Sequence, residues 1–67
     1  MTNNIKLGTL VKHSASGTFF RLRDLQYDII EYYTKAQIIE NKQLSKMKVV
    51  QFKIISEKNL LHVDVEE

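Results

Sequence analysis

Two histidines are the first residues of this chain that could do chemistry. His62 and Asp64 stand two apart in LLHVDV, a spacing that puts both on one face of an extended strand, where an imidazole and a carboxylate can pair. His13 lies beside Ser14 and Ser16. Neither group completes a catalytic constellation. There is no cysteine, and the serines fall in turns or at segment ends with no motif around them. Gly8 and Gly17 stand alone, so no phosphate-cradling loop is formed. Two histidines without spaced carboxylate partners do not make a zinc site. A solvated last strand accounts for His62 and Asp64, and turn hydrogen bonding accounts for His13. The chain therefore reads as no enzyme, with no cofactor, metal or small-molecule ligand indicated.

Two groups of residues are suited to binding. In TFFRLRD, Phe19, Arg21 and Arg23 share one parity, while Phe20 and Leu22 share the other. If the second set faces a core, the first faces out. Lys6 and Lys12 on a preceding strand, and Lys53 on a later one, then join the same outer face. An aromatic ring among cations can stack on a base and meet phosphates, so this set defines a possible single-stranded nucleic-acid platform. The same lysines and arginines are also ordinary solvent-facing and edge-protecting residues of a half-buried sheet. The second group, Tyr27, Ile30, Thr34 and Ile38, is spaced by three, four and four residues. On a helix it forms a contiguous stripe that must meet a protein partner, a second copy of the chain or water; its contiguity favours a partner over scattered exposed apolar residues, which are common. Leu10, Phe19, Val49 and Ile55 add apolar surface to the outer sheet face.

These side chains must be positioned by few elements. Sixty-seven residues make one small domain, and a chain of this size buries only ~60% of its unfolded surface. Without disulfide staples, oligomerisation is a common source of stability, so a homodimer is expected. The net charge is +2, from ten basic and eight acidic side chains. That is far from the basicity of a dedicated nucleic-acid binder and argues against an acidic nucleic-acid mimic. The 43% apolar content suffices for a core. No apolar run approaches transmembrane length and the start MTNNIKLG has no signal-peptide pattern. A soluble cytoplasmic protein is the expectation. The abundance of Ile, Lys and Asn, with no Pro or Trp, points to an AT-rich bacterial or phage genome.

The longest regular segment is DLQYDIIEYYTKAQIIENKQLSK, from Asp24 to about Lys46. At about 100° per residue, Leu25, Ile29, Tyr32, Tyr33, Ala36, Ile39 and Met47 fall on one stripe, opposite Asp28, Glu31, Lys35, Lys42 and Lys46. The spacing predicts an amphipathic helix with Asp24 as its N-cap. Asn41 is a candidate for its end, and the Ile doublets suit a strand as an alternative. Around it, alternation predicts strands at Ile5–His13, Thr18–Arg23, Met47–Ser56 and Leu60–Val65, with a turn at Ser14–Gly17 and another at Ser56–Asn59. Residues 1–4 and 66–67 read as frayed ends. Phe52, between Val50 and Ile54, is an expected core residue.

The predicted fold is α+β, a single domain in the order β-β-α-β-β with one helix on an antiparallel sheet; a small all-β barrel is the alternative. The layout is similar to that of small phage proteins that dock on host enzymes and inhibit them, a likeness of layout carried by no motif. The expected function is a non-enzymatic, regulatory or inhibitory module that docks on a protein partner. The alternative is a regulatory nucleic-acid binder using the basic sheet face.

Overall fold

The computed structural model describes residues 5–55 and 59–67. They form an α+β domain with three short helices and a four-stranded mixed sheet that does not close into a barrel. In chain order the elements are α1 (Leu7–Lys12), β1 (Phe19–Asp24), β2 (Ile29–Thr34), α2 (Lys35–Glu40), α3 (Lys42–Ser45), β3 (Lys48–Ile55) and β4 (Leu60–Glu66). The sheet order is β2-β1-β4-β3. Each half is an antiparallel pair, and the halves meet where β1 runs parallel to β4.

The expected antiparallel sheet is mixed, because β1 and β4 run parallel, and the expected β-β-α-β-β order with a single helix is corrected at two places. The first predicted strand is α1. Leu7 and Val11 are buried and four apart, a spacing that lies on one strand face and also on one helix face. Gly8 is no bulge. A Cβ built there would lie 2.9 Å from the Cβ of Ser45, so glycine lets α1 approach α3. The second correction is the predicted long helix, which is a strand followed by two one-turn to two-turn helices. Ile29-Ile30 and Tyr32-Tyr33 are β-branched and aromatic residues whose fit to a pleated surface outweighs their helical spacing.

The local chemistry of that segment explains the breaks. The Asp24 carboxylate does accept a free backbone N–H, that of Gln26 at 2.9 Å, but within a turn rather than at a helix start. Asp28 closes the turn with φ 55°. Thr34 opens α2 through a capping box with Gln37: its hydroxyl accepts from the Gln37 N–H, and the Gln37 side chain accepts from the Thr34 N–H. The helix ends at Asn41, as the sequence suggested. Asn41 is extended (φ −98°, ψ 103°) rather than left-handed, and its side chain caps α3 by accepting from Gln43 and Leu44. Gly17 takes the positive φ expected of it, 84°.

The three helices lie on one face of the sheet. The core joins Leu7, Val11 and Ile38 of the helices to Phe20 and Leu22 of β1, Val49 of β3, and Leu61, Val63 and Val65 of β4. The inward parities expected for β1 and β4 hold. On β3 an irregularity between Val49 and Gln51 shifts the register, so that Val50 is the extra residue. Phe52 and Ile54 then pair with Val63 and Leu61 and share their face. Phe52 is nevertheless 48% exposed, because the helical layer stops short of this edge strand; it is not the core residue the sequence suggested. Glu66 belongs to β4 rather than to a frayed end. The expected frayed start at 1–4, and residues 56–58 of the expected polar turn, lie outside the described residues. Among those described, no helix is long and apolar enough to cross a membrane.

Candidate functional site

The sheet face away from the helices carries no second layer among the described residues. Strand register arranges it in rows. Thr34, Phe19, Leu60 and Ile55 form the first. Tyr32, Arg21, His62 and Lys53 form the second, and Ile30, Arg23, Asp64 and Gln51 the third. Phe19 and Tyr32 are 53% and 64% exposed. Strand alternation alone produces this segregation: the intervening residues of β1 and β4 are the buried core.

Beneath the exposed side chains runs a hydrogen-bonded chain. Arg21 Nε donates to His62 Nδ1 at 2.9 Å. An arginine nitrogen can only donate, so Nδ1 is the accepting nitrogen and the imidazole proton sits on Nε2. From there it is donated to Asp64 Oδ1 at 2.8 Å. Gln51 Nε2 donates to the other carboxylate oxygen, Oδ2, at 2.6 Å. Asp64 is only 3% exposed, although it lies on the open face. Burial pushes its carboxyl up, but the hydrogen bonds from Gln51 and His62, with the attraction of the Arg23 guanidinium, outweigh burial and hold it below its ordinary value. Beside this chain, the Arg23 guanidinium bonds Asp28 Oδ1 through Nε at 3.0 Å and through Nη2 at 2.9 Å.

The imidazole–carboxylate pair that the spacing allows is therefore formed, on an inner strand with Asp64 buried, which corrects the solvated last strand that the sequence favoured. Both ring nitrogens are committed, one to Arg21 and one to Asp64. The ring has no free lone pair with which to take a proton from a nucleophile.

Of the residues predicted for a basic face, Phe19, Arg21, Arg23 and Lys53 are brought together. Lys6 and Lys12 are not. Lys6 precedes α1 and bridges to Lys48 at the start of β3, and Lys12 ends α1 in the helical layer. The predicted interface stripe is dispersed, because its residues do not share one helix. Tyr27 lies in the β1–β2 turn, Ile30 on the outer face of β2, and Thr34 at the cap of α2. Ile38 is 0% exposed, in the core. Leu10 and Val49, expected on the outer face, instead pack with the core. Tyr32 was missed as an outer-face residue, whereas Leu60 has the parity expected of it but was not linked to Phe19. Tyr32 was assigned to a helix, and Leu60 becomes a neighbour of Phe19 only through the parallel β1–β4 pairing.

No family model matches this chain, and no curated protein or solved structure matches it.

Proposed function

We propose that the protein is a non-enzymatic binding module that regulates a partner protein by docking on it through the open sheet face. One observation carries this: the open face brings the exposed side chains of Phe19, Tyr32 and Ile30 beside the half-buried Leu60 and Ile55. A contiguous apolar patch of this kind marks an interaction surface. The row of Phe19, Leu60 and Ile55 supplies an apolar strip, and Arg21, Arg23 and Lys53 flank it. The partner of matching chemistry is a protein surface with an apolar centre and carboxylates around it. The mild net charge of +2 favours protein over nucleic acid.

A second proposal, single-stranded nucleic acid, is favoured by one specific feature. Phe19 and Tyr32 are diagonal neighbours on paired strands, about 7–8 Å apart, which suits stacking of successive bases. One experiment separates the two. The immobilised chain and its Phe19→Asp variant are exposed to bacterial lysate with and without nuclease. The expected result is one defined protein that survives nuclease and falls at least tenfold in the variant. Retention of nucleic acid alone would move the function to the second proposal. Binding to an oligonucleotide should then lose about one unit of salt slope in Lys53→Gln.

A further inference from the structure

The two edges of the sheet are built differently. The β3 edge is blunted by known devices. It carries Lys48 and Lys53, it is irregular between Val49 and Gln51, and residues 5–7 cross its start. There Val49 N–H donates to Ile5 O and Leu7 N–H donates to Met47 O. The β2 edge, IIEYYT, has none of these. It holds no lysine or proline, and its six pairs with β1 run without a shift. Among the described residues, no other segment makes a backbone–backbone bond to Ile29–Thr34 on its far side; only the Thr34 N–H, at the strand's end, is taken, by the Gln37 side chain. Ile29, Ile30 and Tyr32 are all at least half exposed. Main-chain N–H and C=O groups facing outward along a strand can be met by water or by another extended strand, and the exposed apolar side chains of this one favour the strand.

We infer that β2 pairs antiparallel with β2 of a second copy of this chain, joining two four-stranded sheets into one of eight strands. A two-fold axis normal to the sheet keeps each face on its own side, so residues of like parity oppose one another. Two registers give the longest overlap. One is centred on Glu31 and sets two carboxylates directly opposite, which is destabilising. The other is centred on Tyr32. Each Tyr32 then faces its copy, Ile30 faces Thr34, and Glu31 faces Tyr33, a pair that already bonds within the chain at 2.6 Å. No like charges meet, and the second register is selected. The helices stay on one face, and the open faces of the two copies become continuous. This pairing uses the edge and is independent of docking on the face. It also replaces the helical dimer suggested by the sequence, although Ile30 and Thr34 take part in both.

The test uses Tyr32→Lys and Tyr32→Glu, at a position exposed enough for both variants to fold. Sedimentation velocity over a concentration series should show a wild-type dimer, with each variant weakening dimerisation at least tenfold. An equimolar mixture of the two variants should restore the dimer, because the new charges face each other across the axis. A wild type that stays monomeric at about 100 μM, or a mixture no more associated than its components, overturns the inference. If either variant unfolds by circular dichroism, amide exchange of the wild type decides. Rising concentration should protect amides of β2 and leave 50–55 of β3 unchanged; protection in β3 alone, or nowhere, overturns the pairing.

Discussion

A carboxylate buried on an uncovered sheet face is unusual, and Asp64 stays there because three side chains serve it. Removing one should be costly in a way that its neighbours' exposure would not suggest. His62→Ala leaves Arg21 Nε and one Asp64 oxygen without partners. A loss of about 1–3 kcal/mol is expected in urea unfolding, against a few tenths at ordinary surface positions. The pH dependence has a defined sign. The folded carboxyl sits below its ordinary value of 3.8, so its stabilisation is present above that value and is lost as pH falls through the folded pKa. Asp64→Asn should therefore flatten the acid limb of the stability curve. A variant as acid-sensitive as wild type would show that Asp64 is not the group responsible. The two-residue spacing of His62 and Asp64 allowed their pairing, but a solvated last strand was the favoured reading, because no local pattern shows that β4 lies inside the sheet. The part played by Arg21 was not legible, because it lies 41 residues away and reaches His62 only through the parallel strand pair.

At the scale of elements, β1 and β4 could be read directly, since their alternation is clean and both flank the centre of the sheet. The segment 24–46 misled because its apolar residues recur at helical spacing while their types favour strands. The capping box at Thr34 and Gln37 was visible in the sequence TKAQ, and would have split the segment where β2 ends and α2 begins. The consequence can be measured. Ile38 lies in the core beneath α2, so Ile38→Glu should place an unpaired charge there and unfold the protein at room temperature; a folded variant would contradict this placement. Phe52, facing the core side yet beyond the helical layer, should behave as a surface residue. Phe52→Ala is expected to cost about 1 kcal/mol or less, while Phe20→Ala should cost about 3–5 kcal/mol. Thermal or urea unfolding of both reads the contrast, which equal losses would erase.

For the molecule as a whole, the arrangement is asymmetric: three short helices cover one side of the sheet and nothing described covers the other. The described residues build this one helical layer, and strand alternation places aromatic, aliphatic and cationic side chains on the bare side. Small size, the lack of a catalytic constellation and surplus apolar residues led to the expectation of a binding module, and its sheet face was named only in part, because that face is assembled from four strands whose order no local pattern encodes. The most direct measurement is chemical-shift mapping of the isotope-labelled chain titrated with the protein that it retains from lysate. The largest changes are expected at Phe19, Arg21, Lys53 and Leu60, with Thr9 and Ile39 of the helical layer unaffected. Changes confined to the helices, with the open face silent, would contradict docking through the sheet.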